Sequence, residues 1–597
     1  MSHIRPRTRW MAATLTIAGA AALMPAGAAL AAVGTPAAAG QYTYTVQLNI
    51  GDETNSRACS GVLVDASWVL TATSCFAKTP GAAVVAGRPA LKTTAKIGAG
   101  TTTFDVINVV PHADRGVALA KLSKPVTSSI TPIKLAAAQP SAGADVTAAG
   151  FGRTKTDWVP TKVHTAAFDV VSADATTLAL TGKGTDAICQ GDAGGPLVNS
   201  KGELAGVNSR SWQGGCLGTP AAETRTGAIA ERADGLKDWI TETDRRFAVQ
   251  RDVNGDGRSD SIMVYYNADT SITFYSSVTK TDGGFNDYKP GYTVPAKSWD
   301  PKAMKLITGD YNGDGRTDVG MMYRNGDSSI TMYTGLADTA GLIQPFTSSY
   351  TIPANSLDWN AIELHSGDVN GDGRADAVMV YYHANTSIAF YSSLAKTDGG
   401  FNEYKPGYTV PTGSWSRSSM KLITGDFNGD TRSDMAMLYK MGDGSMKMYT
   451  GLADTTGLIQ PFTSSHTVPA NTWDWNTVEI RSGDLNGDGR ADALVTTYNA
   501  DTSITFRSSL AKADGGFGGF TGGYSVPAKS WDPKAMKLTA GDYNGDGRTD
   551  MGMMYRNADT SITMYTGLAD TAGLVQPFTP SYKVPVKSWD WNAVQLP

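Results

Sequence analysis

The sequence predicts an all-β protein with at least two domains. Its 597 residues are too many for a single hydrophobic core. Glycine is abundant, with 66 residues, and only 18% of the residues are charged, which is typical of turn-rich β structure rather than of helical bundles. The C-terminal half repeats with a period of 58 residues, and each unit contains about four strand-like stretches. We therefore expect a β domain followed by a β-propeller of six repeats.

Residues 1–31 are similar to a secretory signal peptide. Three arginines precede an apolar run over residues 11–30, and Ala29-Leu30-Ala31 matches the small-x-small cleavage pattern. A membrane anchor is the alternative, but Pro25 and several glycines weaken it. No later segment approaches 18 uninterrupted apolar residues, so we expect a secreted, extracellular protein without a membrane span. The net charge of −5 offers no electrostatic reason to bind nucleic acid.

The chain contains four cysteines, Cys59, Cys75, Cys189 and Cys216. An even number in an exported protein indicates two disulfides. Four cysteines allow three pairings, and their spacing alone does not choose among them.

Residues 32–242 contain several segments that resemble chymotrypsin-like serine proteases. The stretch CQGDAGGP at 189–196 is similar to that family's nucleophile loop, Gly-Asp-Ser-Gly-Gly-Pro. The stretch at 59–75 resembles the segment that ends Thr-Ala-Ala-His-Cys, and the stretches at 117–122, 211–216 and 236–240 resemble later family segments in the same order. The resemblance implies two packed six-stranded β-barrels, with the disulfides Cys59–Cys75 and Cys189–Cys216.

The three positions of the family's catalytic triad carry other residues. Ser74 stands in the place of the histidine, Gly116 in that of the aspartate and Ala193 in that of the nucleophilic serine. The triad mechanism needs a hydroxyl nucleophile, an imidazole base and a carboxylate that orients the base. We therefore expect a pseudo-protease with no hydrolytic activity. An active serine endopeptidase or esterase with a non-standard site is the alternative.

Such a non-standard site would need a substitute base. This half of the chain offers His112 and His164 as imidazoles and Asp114 as a nearby carboxylate. A base must lie within about 3 Å of the proton that it takes. We expect these three residues to be surface or loop polar groups rather than a rebuilt triad.

The resemblance implies that the family's binding pockets are retained although the catalytic side chains have been replaced. The backbone N–H groups of Gly191 and Ala193 would form an oxyanion pocket, and Ala187 and Trp212 would line a specificity pocket for a small or apolar group. In the family, the residue at the place of Asp192 pairs with a free N-terminal ammonium. If cleavage after Ala31 frees Ala32, that new terminus is its predicted partner.

Six nonapeptides mark the repeats of the C-terminal half. They carry aspartate at positions 1, 5 and 9 and asparagine at position 3, with arginine at position 7. The twenty-four oxygen-bearing residues are Asp252, Asn254, Asp256, Asp260, Asp310, Asn312, Asp314, Asp318, Asp368, Asn370, Asp372, Asp376, Asp426, Asn428, Asp430, Asp434, Asp484, Asn486, Asp488, Asp492, Asp542, Asn544, Asp546 and Asp550. Hard oxygen ligands around a glycine turn favour calcium.

An EF-hand is excluded, because Met263 and Met321 occupy the place of its position-12 glutamate. The nonapeptides instead resemble the calcium loops of the FG-GAP and VCBS repeat families, and a turn that binds no metal is the alternative. The fourth copy carries Thr431 where the others have the position-6 glycine, so we expect its site to be the weakest.

Tryptophans recur late in each repeat. They are Trp299, Trp359, Trp415, Trp473, Trp475, Trp531, Trp589 and Trp591. We expect them to pack between neighbouring blades rather than to stack on a ligand.

The predicted order is a signal peptide at 1–31, a protease-like domain at 32–242, a linker at 243–246 and the propeller at 247–597. We expect a monomer that binds an extracellular protein or glycan with calcium as its cofactor. A lectin-like propeller is a further alternative.

Overall fold

The computed structural model describes the chain from residue 35 onward. It describes residues 35–597 except 53–55, 80, 85–88, 99, 101, 124–125, 127–129, 247–250 and 587. The predicted signal peptide and Ala32 lie outside the described residues. The fold is all-β, as the sequence predicts, with two six-stranded barrels and a six-bladed propeller.

The first barrel is closed, with its strands in the order β2-β3-β4-β7-β6-β5. Its strands are β2 Thr45–Ile50, β3 Arg57–Leu63, β4 Trp68–Ala72, β5 Thr93–Ile97, β6 Thr103–Pro111 and β7 Val117–Leu122. Alternating apolar residues such as Val46 and Leu48 point inward and are fully buried.

The second barrel follows the order β8-β9-β10-β13-β12-β11 and closes through a further pairing of β8 with β9. Its strands are β8 Asp145–Gly150, β9 His164–Ala173, β10 Thr177–Gly182, β11 Pro196–Asn199, β12 Leu204–Ser211 and β13 Ala228–Arg232. A short strand β1, Thr35–Pro36, pairs with the start of β9.

Helix α1, Lys237–Arg246, follows the second barrel. Residues 243–246, the predicted linker, form its last turn. Leu236, just before the helix, and Ile240 within it pack with Trp68 and Val207 into the apolar layer that joins the two barrels. Within the described residues, no helix has the length and apolar composition needed to cross a bilayer.

The C-terminal half forms six four-stranded antiparallel sheets in its described residues. The first blade contains β14 Ser261–Tyr266, β15 Ile272–Ser277, β16 Lys289–Val294 and the final strand β37 Val594–Gln595. The second and third contain β17 Met304–Gly309, β18 Asp318–Arg324, β19 Ile330–Gly335, β20 Thr347–Ile352, β21 Ile362–Gly367, β22 Asp376–Tyr382, β23 Ile388–Ser393 and β24 Lys405–Val410. The fourth, fifth and sixth contain β25 Met420–Gly425, β26 Asp434–Lys440, β27 Met446–Gly451, β28 Thr463–Val468, β29 Glu479–Gly483, β30 Asp492–Tyr498, β31 Ile504–Ser509, β32 Thr521–Val526, β33 Met536–Gly541, β34 Asp550–Arg556, β35 Ile562–Gly567 and β36 Thr579–Val584.

Short 3-10 turns precede β17, β21, β25, β33 and β37, and another follows β4. They are Thr73–Cys75, Pro301–Ala303, Trp359–Ala361, Arg417–Ser419, Pro533–Ala535 and Trp591–Ala593.

The propeller ring closes by strand exchange between its two ends. β37 pairs with β14 through Val264 opposite Gln595 and Tyr265 opposite Val594. The inner strand of the first blade therefore comes from the far end of the chain. In the other blades the inner strand comes first, and the nonapeptide connects it to the second strand. All six nonapeptides, here called the motif loops one to six, therefore lie on one face of the propeller.

The apolar cores of the propeller lie between blades. Six clusters each combine residues of two neighbouring blades, and all eight predicted tryptophans belong to them. The interblade packing predicted from the sequence is confirmed. In the second repeat the sequence predicts strands at 304–308, 319–323, 329–334 and 350–353, and these agree with the structure within one residue at most ends. The last strand begins at Thr347, three residues earlier than predicted.

Candidate functional site

The structure brings the three triad positions together at the junction of the barrels. Ser74 lies in the 3-10 turn after β4, and the N–H of the preceding residue, Thr73, donates to the carbonyl O of Gly116 at 3.0 Å. The carbonyl O of Ala193 accepts from the N–H of Ser60 at 2.9 Å, and the Cys59–Cys75 disulfide fixes the same region. The site therefore has the place of a triad but presents a hydroxyl, a hydrogen and a methyl group.

Glu231 on β13 lies where the missing aspartate side chain would extend. A Cβ atom placed on Gly116 would lie 2.7 Å from Glu231 Oε1. The Glu231 residue is only 6% exposed. Sequence reasoning missed this residue, because its position depends on the pairing of Glu231 with Val207 across β12 and β13. The Glu231 carboxylate on β13, rather than a side chain at position 116, therefore lies beside the turn that contains Ser74.

The substitute imidazoles do not join Ser74 in the described residues. His112 accepts the N–H of Asp114 at Nδ1, at 3.1 Å, and packs edge-on against Trp239 with 4.8 Å between ring centroids. Burial lowers the pKa of His112, and the neighbouring Arg115 adds to this effect. His164 lies at the start of β9 and bonds to the carbonyl O of Lys162. None of these contacts forms a nucleophile–base pair.

The predicted oxyanion donors lie in a sharp turn. Gly191 has φ of +103°, a left-handed backbone conformation that glycine adopts freely. Its carbonyl O accepts from Ser60 Oγ at 2.9 Å. Among the hydrogen bonds of the described residues, the N–H groups of Gly191 and Ala193 have no protein acceptor. Two backbone donors therefore remain available beside the Ala193 methyl group.

Asp192 is held behind this turn. Its Oδ1 accepts from Gly152 N–H at 2.7 Å, and its Oδ2 accepts from Cys189 N–H at 2.9 Å. Burial raises the pKa of the Asp192 carboxyl to about 6 despite these two donors. Asp192 borders a small cavity that Asn208 also lines, and in the described residues neither polar side-chain atom of Asn208 has a partner.

The predicted specificity residues differ in accessibility. Ala187 is buried against the Cys189–Cys216 disulfide. Trp212 follows β12, is 55% exposed, and has the Arg225 guanidinium 3.5 Å from its ring centroid. Trp158 is similarly exposed, with Arg153 at 4.4 Å from its ring. Both disulfides have the pairing that the resemblance implies.

The motif loops share one geometry, shown here by loop two. Both oxygens of Asp310 at position 1 accept loop N–H groups, from Gly313 and Gly315 at 2.7 Å each. Asp318 at position 9 accepts N–H groups from Tyr311 and Ala337 at 3.0 and 2.8 Å. In all six copies the arginine at position 7 forms an ion pair with the aspartate at position 5.

The aspartates at positions 1 and 9 are crowded and poorly hydrated. Burial, together with the negative charges of Asp310 and Asp314, raises the pKa of Asp318 to about 7. The arginine at position 7 pairs with the aspartate at position 5 rather than with those at positions 1 and 9. The donor set thus suits a hard divalent ion. Across the described residues, however, no three aspartate, glutamate, histidine or cysteine side chains converge in an arrangement ready for a metal ion.

Comparisons with known proteins agree with both halves of the fold. The trypsin family model matches residues 31–240, and the model of FG-GAP-like repeats matches 310–379, 368–437 and 426–495. Trypsin-1 of Salmo salar is 29% identical over 220 residues, which cover 34% of this chain and 85% of that protein. Serine protease SP24D of Anopheles gambiae is 30% identical over 197 residues, which cover 29% of this chain and 69% of that protein.

Serine protease 56 of Mus musculus is 31% identical over 241 residues, which cover 35% of this chain but only 38% of that relative. The two barrels, the disulfide pairing, the convergence of residues 74, 116 and 193 and these relatives all point to one family. The chain belongs to the trypsin-like serine protease family and carries FG-GAP-like repeats in its C-terminal half.

Proposed function

We propose that this protein is a secreted trypsin homologue that binds a ligand without cleaving it. The observation that carries the proposal is the convergence of Ser74, Gly116 and Ala193 at the place of the triad. A methyl group cannot attack a carbonyl, and no imidazole of the described residues reaches Ser74 to activate its hydroxyl. Two disulfides suit an oxidising, extracellular location.

The binding surface that we propose lies around Trp212. Its exposed indole and the stacked Arg225 offer an apolar face beside a cation, and Trp158 with Arg153 repeats this arrangement. The oxyanion turn supplies two N–H donors in reach of the Ala193 position. This combination favours an extracellular protein segment that presents a carbonyl or carboxylate near an apolar side chain. A glycan ligand on the propeller is the second candidate, and it rests on the FG-GAP-like repeats alone.

The proposed cofactor of the propeller is calcium. The aspartates at positions 1, 5 and 9 and the asparagine at position 3 of each motif loop would hold it. Calcium would supply the positive charge that the buried carboxylates at positions 1 and 9 lack. Because a bound ion favours the folded state, its role would be to stabilise the propeller.

The experiment measures hydrolysis and active-site labelling by the secreted full-length chain. Casein and ester substrates should show no turnover above a heat-denatured sample, and an organophosphonate should label no serine. Stoichiometric labelling of any serine would contradict the proposal. Binding is tested by capture of partners from the native culture, with Trp212→Ala as the matched variant that leaves the propeller unchanged. A glycan array with the same two chains separates a sugar ligand on the propeller from a protein ligand at Trp212.

A further inference from the structure

Motif loops two and six are identical in sequence but differ in their surroundings. Both read Asp-Tyr-Asn-Gly-Asp-Gly-Arg-Thr-Asp, from Asp310 and from Asp542. In loop two, a Cβ atom on Gly315 would meet nothing within 4 Å. In loop six, a Cβ atom on the matching Gly547 would lie 3.6 Å from Ile107 Cδ1 of the first barrel. The first barrel therefore covers one of two otherwise identical sites.

Two neighbouring strands of the first barrel make this cover. Asn108 Nδ2 on β6 donates to the carbonyl O of Gly487 in loop five at 2.5 Å, and Asn108 is 3% exposed. Ser123, just after β7, places its carbonyl O 3.2 Å from the Cβ position of Gly545 in loop six. The contact thus spans loops five and six and involves their turn glycines.

Lys121 on β7 lies directly opposite Asn108 on β6, so the two side chains share one face of the barrel wall. It is buried at the end of β7, with Nζ 5.9 Å from the ring centroid of Trp68. Burial lowers the pKa of Lys121, and the carboxylates of Asp542, Asp244 and Asp484 oppose that effect. Two of these carboxylates, Asp484 and Asp542, are the position-1 residues of loops five and six. The Lys121 side chain thus lies on the face of the barrel wall that contacts the loops whose carboxylates would bind calcium.

We propose that Lys121 and calcium compete for motif loops five and six, so that calcium loosens the seating of the protease-like domain on the propeller. The inference rests on the proposed calcium binding. A divalent ion at either loop adds two positive charges in a poorly hydrated space that already holds an ammonium group. Coupling between two sites is reciprocal, so the docked barrel lowers the calcium affinity of the loops that it covers.

The experiment is a calcium titration of the full-length chain followed by hydrogen exchange of peptides that contain each loop. The flanking residues distinguish the peptides of loops two and six. Loop six should reach half protection at about tenfold more calcium than loop two, since couplings of this kind are typically about 5–150-fold. Lys121→Met keeps the apolar stem and removes the charge, and it should bring the two midpoints together. Lys201→Met, an exposed lysine of the second barrel, should leave the gap unchanged.

Asn108→Ala provides a second variant that weakens the seat without touching Lys121, and it should also narrow the gap. Equal midpoints for loops two and six in the unaltered chain would overturn the inference. The inference would also be overturned if the difference between the calcium midpoints of loops two and six persisted in both Lys121→Met and Asn108→Ala. If no loop responds to calcium, the proposed cofactor fails together with the inference, whereas six equivalent responses reject the competition alone.

Discussion

The backbone N–H of Ser259 donates to the carbonyl O of Asp542 at 2.7 Å, which joins the first motif loop to the last. The five remaining pairs of neighbouring loops are joined in the same way: the N–H of position 8 in one loop donates to the carbonyl O of position 1 in the preceding loop. The five further bonds run from Thr317 to Asp252, Ala375 to Asp310, Ser433 to Asp368, Ala491 to Asp426 and Thr549 to Asp484. The motif loops therefore form a closed ring, in which each position-1 aspartate supports the next loop.

Calcium should raise the melting temperature of the propeller. Each ion bound only by the folded state adds about 2.7 kcal/mol at 100 times its dissociation constant. The measurement is thermal melting of the full-length chain in EDTA and in millimolar calcium, with calorimetry for the stoichiometry. An unchanged melting temperature would reject the metal assignment.

The fourth motif loop should bind calcium less tightly than loop three. Thr431 at its position 6 has φ of +74°, a conformation that costs a β-branched residue about 1–3 kcal/mol. Thr431→Gly should therefore strengthen calcium binding at loop four. Gly373→Thr, at the matching place in loop three with φ of +87°, should weaken that loop in the same assay. If loops three and four have the same calcium-binding midpoint in the unaltered chain, in Thr431→Gly and in Gly373→Thr, the calcium assignment stands but the strain argument is rejected.

Restoring two triad residues should recover more activity than restoring three. In Ser74→His/Ala193→Ser, the Glu231 carboxylate is placed to orient the new imidazole. Adding Gly116→Asp would bring a second carboxylate against Glu231, whose Oε1 lies 2.7 Å from the added Cβ position. We expect the double variant to hydrolyse an activated ester and the triple variant to be slower.

Glu231→Gln in the double variant is the matched control. Loss of the orienting carboxylate from a serine-protease triad lowers kcat by about 10⁴-fold, so most of the recovered activity should disappear. If the triple variant is the faster enzyme, Glu231 does not act as the substitute carboxylate.

Removing the Cys189–Cys216 disulfide should destabilise the second barrel. Disulfides typically contribute about 2–4 kcal/mol, and this one holds the oxyanion turn to the segment after β12 that contains Trp212. Cys189→Ser/Cys216→Ser should lower the melting transition of the protease-like domain, with the propeller transition as the internal reference. If the protease-like transition stays at its parent temperature, the disulfide has no such role.

Asp192 should make the stability of the protease-like domain depend on pH. In the chain that keeps residues 1–31, the folded pKa of about 6 lies above the unfolded value of about 3.9. The contribution of Asp192 is then fully present below about pH 4 and is lost as pH rises through 6, by about 3 kcal/mol. Urea unfolding at pH 4.5 and 7.5 should capture about 2 kcal/mol of this loss, because the unfolded carboxyl is already mostly ionised at pH 4.5, and Asp192→Asn should remove it.

A chain that begins at Ala32 provides the contrast. If the Ala32 ammonium pairs with Asp192 and brings the folded pKa below the unfolded value, stability is lost as pH falls rather than as it rises. The cavity beside Asp192 and the unpartnered Asn208 side chain suit such a polar guest. Identical pH profiles for the two chains would exclude the pairing.

The repeats were the most predictable part of the fold. The 58-residue period placed the six motif loops, and the strands predicted for the second repeat match the structure within one residue at most ends. The protease-like half was predictable through its motifs, and positions 74, 116 and 193 converge because β4, β7 and the 189–196 turn meet between the barrels.

The remaining features depend on pairings between distant segments. Glu231 reaches the triad place only because β13 pairs with β12 in one register. Lys121 looks like an ordinary strand lysine in the sequence, and only the structure shows that it is buried, in the barrel wall that contacts loops five and six. Neither relationship leaves a local pattern in the residues.

The pairing of the last strand with the first blade, which closes the propeller, sets the order in which the domains can fold. The protease-like domain is contiguous and can fold as soon as it has been synthesised. The first blade cannot, because its inner strand, Val594–Gln595, follows all six blades in the chain. Until then β14 presents an unpaired edge that invites pairing with other chains. Loss of these few residues would therefore leave β14 permanently open to pairing with other chains, even though no loop or barrel had changed.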